Sequence, residues 1–426
     1  MSGFDHVSDT NMRAEDFTFM RPMLPRDHRC AGDLCNQVPG IDSDSSNMRV
    51  MEIFTAQKDM VSLAVVEGGR PIGLINRNIF MSQMSKPFHR ELYDRKSCIA
   101  FMDKEPLTAD AAMSIEELTF KTVEFGEKAL ADGFIVTRNG RFAGLGNGLQ
   151  LMAVVAAMQA EKNRQMMQSI EYASVIQRAM LRASREALAS TLQDAALLWE
   201  PRDVVGGDFY HFCAWPDGWF GAIADCTGHG VPGAFMTLIA SSSLTQALGQ
   251  TGPRDPARLL SEVNRGVKRL LGQLDGPQGA SESNDGLDAA FFWFDNATRI
   301  LRFAGANLSL HVLQPGADQL ASFAGQRMGV GYLDSDFDHE WDVSCVQLYP
   351  ESIIFIATDG LIDQIGGPKN IAFGKRKAFA TLLEHRDETS KDICEAIRNA
   401  LAQWQGEQAR RDDMTLFCAR LRNENA

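Results

Sequence analysis

Four aspartates in the C-terminal half each close an apolar run or open a tight turn. Asp208 stands in Val205-Gly206-Gly207-Asp208-Phe209 and Asp225 in Ala224-Asp225-Cys226-Thr227-Gly228-His229-Gly230. Asp359 follows Ile354-Phe355-Ile356-Ala357-Thr358, and Asp413 sits in Asp412-Asp413-Met414-Thr415. Carboxylates at strand ends can converge on a hard cation. Mg²⁺ and Mn²⁺ favour oxygen ligands and keep several waters, one of which can be made nucleophilic. The chemistry open to such a set is metal-assisted hydrolysis, most naturally of a phosphoester. Singly, each has a plainer reading. Asp359-Gly360 could be an ordinary turn, His229 could be a general acid or could only position a turn or cap a helix, and Asp412 reads as a solvated neighbour of Asp413. Asp288 could add a carboxylate or face solvent.

The elements that must position these residues occupy a chain of 426 residues, enough for two or three domains. Its hydrophobic fraction of 45% is that of a globular protein, and its net charge of −13 argues against a nucleic-acid partner. No apolar run reaches the ~18 residues of a membrane span, and the polar N-terminus lacks the apolar stretch of a secretory signal. The eight cysteines form no C-x-x-C pair. They read as free thiols in a reducing cytoplasm.

Residues 1–47 read as an N-terminal arm. From 48 to 155 one theme occurs twice: an apolar strand, a glycine turn, and a second strand ending in Gly73-Leu74 or Gly144-Leu145. The spacing of about 70 residues signals an internal repeat. Leu149 to Glu200 contains neither Gly nor Pro, so a long helix is expected, with residues 156–190 as linker. Its imperfect seam Met152, Ala156, Gln159, Asn163, Met166, Ile170, Ala173, Gln177 and Met180 suggests a coiled-coil-like contact in a homodimer. The alternative is a helix packed along its own domain. From 191 to 422, apolar runs such as Trp219–Ala224, Ala289–Phe294 and Met414–Ala419 predict strands. Gly233–Leu248, Pro256–Leu271, Lys375–His385 and Ser390–Trp404 predict helices. A β-sandwich with helices on its outer faces fits, giving an α+β chain.

Two resemblances sharpen this reading. The doubled unit at 48–155 resembles a pair of cystathionine-β-synthase (CBS) modules, which implies a regulatory domain and a cleft for an adenine nucleotide. The four aspartate motifs, in order over 191–422, resemble the metal-dependent protein phosphatases (PPM, or type 2C-like), in the branch of the stage II sporulation phosphatase E. That resemblance implies an α-β-β-α sandwich and two Mg²⁺ or Mn²⁺ ions. Asp225 would bridge them, the Cys226 carbonyl would bind one, and Asp359 and Asp413 would complete the coordination of the second ion. Asp208 would bind a metal or a metal-held water, acting with Asp225 in catalysis. It also implies a cytoplasmic serine/threonine phosphatase acting on a phosphorylated anti-sigma-factor antagonist (STAS-type) protein in partner switching. No nucleic acid and no membrane would be involved, and a homodimer would form through the linker or the CBS pair. A catalytically silent scaffold or a nucleotide sensor is the alternative. The arginine that eukaryotic-type members use for phosphate has only Arg202 as a counterpart, and the basic stretch Gly366–Lys377 could steer an acidic partner.

Overall fold

The computed structural model describes residues 30–273 and 284–422. It divides into two compact units, Met1–Arg164 and Gln165–Ala426. Most of the expected N-terminal arm, residues 1–29, lies outside the described residues.

The first unit is built twice from one plan. Its first half runs β1 (Ile41–Asp42), α1 (Asn47–Ala56), β2 (Ser62–Glu67), β3 (Arg70–Asn76), α2 (Arg77–Met84) and α3 (His89–Tyr93). Its second half runs β4 (Thr108–Asp110), α4 (Ile115–Phe125), α5 (Glu127–Asp132), β5 (Phe134–Arg138) and β6 (Arg141–Gly146), leading into α6 (Gly148–Thr191). Each half makes a three-stranded sheet in which a short strand lies parallel to the first arm of an antiparallel hairpin. The repeat extends to defects. The ladder slips between Val65 and Val66 and again between Val136 and Thr137. Asn76 caps α2 through Ile79 N–H, and Asn147 accepts from Leu149 N–H at the start of α6. Ala64, Leu74 and Ile135 form the buried contact joining the halves. Residues 30–47, expected as arm, belong to this unit. Ala31 and Leu34 are buried in its core, and Ile41 pairs with Val65.

The second unit begins within α6. Here Ser174, Gln177, Leu181, Ser184 and Leu188 are buried, at alternating spacings of three and four. Gln177, near the end of the expected dimer seam, is therefore buried inside its own domain, and beyond the seam Leu181 and Leu188 pack into the core. Then follow β7 (Ala195–Glu200), β8 (Asp208–Trp215), β9 (Gly218–Cys226), α7 (Gly230–Thr251), α8 (Pro256–Leu271), β10 (Leu287–Asp295), β11 (Ile300–Ala306), β12 (Leu310–Leu313), β13 (Ala321–Phe323), β14 (Ser344–Gln347) and β15 (Ile353–Ala357). The chain ends with α9 (Asp359–Ile362), the small ribbon β16 (Ile365–Gly366) and β17 (Ile371–Ala372), α10 (Gly374–Glu384), α11 (Ser390–Gln405) and β18 (Met414–Arg420).

Two antiparallel five-stranded sheets result, ordered β14-β11-β10-β9-β8 and β13-β12-β15-β18-β7. Residues alternate between the faces. Trp219, Ile223, Phe292 and Phe294 of one sheet meet Val312, Ile354, Ile356 and Phe417 of the other, with the Phe292 and Phe417 rings 5.6 Å apart. The opposite face of the first sheet carries Phe220, Ala222 and Phe291, covered by α7 and α8. α10 and α11 cover Phe355, Leu416 and Cys418 of the second. This is the expected α-β-β-α sandwich, and its three apolar layers supply most of its stability at ~1.5–3 kcal/mol per large side chain fully buried.

Candidate metal centre

Antiparallel order brings the aspartates to one end of the sandwich. Asp208 starts β8, Asp225 lies near the end of β9, Asp359 follows β15 and Asp413 precedes β18. Asp225 is paired in register with Asp208 on one side and with Asp288 on the other. Directly opposed residues in an antiparallel ladder project to the same face. Three carboxylates therefore occupy one rung, and Asp288, left open by the sequence, joins the cluster.

The cluster has a floor and a rim. Asp208 and Asp413 are buried; Asp225, Asp288 and Asp412 are half-buried, and Asp359 is exposed. Asp208 Oδ2 accepts from Thr358 Oγ1 at 2.8 Å and Thr415 Oγ1 at 2.7 Å, while its buried Oδ1 has no partner. Burial pushes its carboxyl up to about 7 against the pull of the two hydroxyls, with Asp413 and Asp359 adding to the rise. Burial, then the charges of Asp208, Asp359, Asp412 and Asp288, push Asp225 up to about 11. Desolvation by the packed neighbours, then the charge of Asp412, raises Asp359 even though the residue is exposed, and burial raises Asp288 against a 2.7 Å hydrogen bond from Asn307 Nδ2. Crowded carboxylates held this high need a cation or protons.

Asp412 and Asp413 divide their work differently from expectation. Asp413 Oδ1 accepts from the Arg202 N–H and Oδ2 from the Gly207 N–H, both at 2.6 Å, so Asp413 ties down the loop that carries Asp208. It is Asp412 whose charge acts on Asp225 and Asp359. The Cys226 carbonyl lies against Gly207, where a Cβ would come within 2.8 Å of the oxygen.

His229 does not enter the carboxylate cluster. It is the N-cap residue of α7, and its Nδ1 lies 2.9 Å from Asp203 Oδ2. The Arg202 guanidinium turns to the Arg411 carbonyl, at 3.1 Å. Lys377 of the basic stretch lies over the Trp404 ring at 4.0 Å. The sequence reading missed Asp203, Asn307 and Tyr332. Tyr332 hydroxyl and Thr227 Oγ1 lie 3.2 Å apart, while burial pushes the phenol up to about 12. Asn307 carried one signal, since asparagine tolerates the left-handed backbone it adopts at φ 59°.

The donor set fits a hard divalent cation. It is all oxygen, none of its carboxylates has an ion-pair partner among the described residues, and Asp208 Oδ1 is a buried acceptor without a donor. Among the described residues no three side chains close into a ready-made cage. Ions that keep several waters and take one or two carboxylates suit that openness.

A four-layer sandwich with acidic clusters at the mouth between its sheets defines the class of type 2C (PP2C) phosphatases. The family model described as stage II sporulation protein E (SpoIIE) matches residues 216–422. The solved SiaA-PP2C domain of Pseudomonas aeruginosa is 36% identical, with a TM-score of 0.55 over 62% of this chain and 99% of that one. The PP2C domain of SpoIIE from Bacillus subtilis, solved with a fragment of its regulatory domain, is 16% identical with a TM-score of 0.43, over 54% of this chain and 63% of that one. The RsbU and RsbW domains of a Mycobacterium tuberculosis protein give 19% and 0.42, over 54% and 60%. No curated protein matches the chain. The chain belongs to the SpoIIE-type PP2C family and is a metal-dependent serine/threonine phosphatase.

Proposed function

We propose that this phosphatase removes phosphate from a phosphoserine or phosphothreonine of a STAS-type protein in a bacterial partner-switching pathway, in the cytoplasm. The observation that carries the hydrolytic reading is the rung Asp208–Asp225–Asp288, facing Asp359 and Asp412 without a counter-cation among the described residues. Asp225, Asp288, Asp359 and Asp412 would hold two Mg²⁺ or Mn²⁺ ions, with the Cys226 carbonyl and Asp208 behind them. Bound there, such ions lower the pKa of water and take up charge developing on phosphoryl oxygens. The chain's own part is to preorganise. Thr358 and Thr415 fix one oxygen of Asp208, leaving the other to accept from a water or face a cation. Asn307 fixes Asp288, and Asp413 anchors the Arg202–Gly207 loop. No described helix is long and apolar enough to cross a membrane.

The repeated first unit supports the CBS reading. Between its halves lies a cavity of about 680 Å³ whose lining includes Lys58, Asp59, Ser62, Asp132 and Asn147. We propose that it takes an adenine nucleotide, with α6 as connector and a homodimer formed through this unit or through α6 ahead of Ile170. Turnover of a phosphorylated STAS protein with Mn²⁺ tests the function. Activity that survives Asp225→Ala would refute the site. Identical rates with and without ATP or AMP would refute nucleotide control.

A further inference from the structure

On the outer face of α6, in the phosphatase unit, Arg178, Arg182 and Arg185 line an open groove of about 400 Å³ with Trp199 and Pro201. The arginines recur at spacings of four and three, so they stack on one helical face. Like charges so placed each cost a few tenths of a kcal/mol unless an anion compensates. None does within the described residues, and all three side chains are exposed. Glu186, one turn beyond Arg182, makes no ion pair with it, and Glu200 beside Trp199 is taken by Arg398 and Arg410. Elsewhere the same chemistry is satisfied locally, as in Arg265–Glu262 and Arg398–Glu395. A cationic stripe left open on a chain of net charge −13 is an uncompensated feature, and it lies beside the metal centre.

The groove wall is wired to that centre. Trp199 Nε1 donates to the Asp208 carbonyl at 2.8 Å. Pro201 packs against Gly206, where an added Cβ would lie 2.9 Å from the proline Cβ. The next residue, Arg202, gives Asp413 its amide. The groove wall and the metal centre therefore share the segment from Trp199 to Asp208.

We propose that this groove docks an acidic flank of the phosphoprotein substrate, its Asp and Glu side chains paired with the three guanidiniums and its backbone laid along Trp199. Arginine forks match carboxylates in two-point hydrogen bonds, and the indole supplies a flat, apolar wall. The proposal rests on the protein-phosphatase reading and adds the surface that selects the substrate.

The test uses the full chain with Mn²⁺ and three substrates: p-nitrophenyl phosphate, a phosphoserine peptide with a run of Asp and Glu beside the phosphoserine, and the same peptide with neutral flanks. For the charge-reversed variant Arg178→Glu/Arg182→Glu/Arg185→Glu, KM for the acidic peptide is expected to rise about tenfold or more at low salt with kcat held. The neutral peptide and p-nitrophenyl phosphate should change less than about twofold, and about 0.5 M salt should erase the wild-type preference for the acidic flank. Lysine at all three positions should restore part of it. An equal loss on all three substrates, or no change in KM for the acidic peptide, overturns the proposal. So does displacement of a labelled acidic peptide by inorganic phosphate at matched charge, which would mark a small-anion site. Absence of wild-type turnover on any substrate would instead sink the phosphatase reading. Fluorescence anisotropy of the labelled peptide then still decides the groove.

Discussion

Gln177 and Gly206 grip each other by both ends of an amide. Gln177 Nε2 donates to the Gly206 carbonyl at 2.7 Å, and the Gly206 N–H donates to Gln177 Oε1 at 3.2 Å. The pair is buried, and Nε2 lies 3.3 Å from Thr237 Oγ1 of α7. The next residue along, Gly207, gives its amide to Asp413, and Asp208 follows. A displacement of α6 in this stretch therefore pulls directly on the loop that sets the floor of the metal centre.

Gln177→Met keeps the length of the side chain and removes both hydrogen bonds. The buried N–H and C=O of Gly206 are left unpaired, at a cost of about 1–3 kcal/mol each where water cannot reach them. The denaturation midpoint is expected to fall. The Mn²⁺ concentration for half-maximal activity should rise severalfold, because the loop carrying Asp208 is no longer held. A fall in stability with an unchanged metal requirement would show that the clamp only packs the helix.

Asp225→Asn separates the fold from the cation. The amide matches the carboxyl in shape and removes a charge crowded by Asp208, Asp359, Asp412 and Asp288. The metal-free variant should melt no lower than wild type. Wild type should gain about 2.7 kcal/mol at a Mn²⁺ concentration 100 times its dissociation constant, seen as a rise in Tm. The variant should lose most of that gain and about 100-fold or more of its turnover. A full Mn²⁺-induced shift in the variant would place the ions elsewhere.

Asp412→Asn and Asp413→Asn are expected to differ in kind. Asp412 is half-buried and acts through its charge, so its substitution should leave stability within about 0.5 kcal/mol and weaken Mn²⁺ binding. Asp413 accepts from two amides with its two oxygens, and an asparagine there sets its NH₂ against one of them. That should cost about 1–3 kcal/mol, measurable by urea denaturation. Equal effects on stability would contradict this division.

This pair also marks how far the sequence could be read. The site ends of β9, β15 and β18 were legible because apolar runs close at Asp225 and just before Asp359, and another opens just after Asp413. Antiparallel pairing then puts them at one mouth. Which of two adjacent aspartates turns inward depends on the amides of Arg202 and Gly207, more than 200 residues away in the chain. Asp288 stayed undecided for the same reason: its place follows from its register with Asp225. Gln177 was legible as a polar break in an apolar seam, but the seam suggested a second helix, and its true partner is a loop backbone. The strand β7 went unread because its side chains are all half-buried, which removes the alternation that reveals a strand. The repeat in the first unit was visible because Gly73-Leu74 and Gly144-Leu145 recur, and the structure extends it to the matching ladder slips.

His311 supplies a pH test on the face of the second sheet that packs against α10. It lies in β12 with its ring edge-on to Phe379 at 4.7 Å and its Nδ1 2.7 Å from Ser322 Oγ. Burial, with Lys375 adding to it, pushes the imidazole down to about 4. The unfolded chain, with an ordinary value near 6.5, takes up this proton first as pH falls. Stability contributed by the neutral ring is therefore whole above about pH 6.5 and lost progressively down to about pH 4, by up to about 3 kcal/mol. His311→Phe removes the titration and keeps an aromatic ring against Phe379. Between pH 7.5 and 5 the Tm of wild type should fall several degrees further than that of the variant. Parallel Tm curves for the two proteins would show that His311 binds its proton equally well folded and unfolded, and would overturn the depressed value.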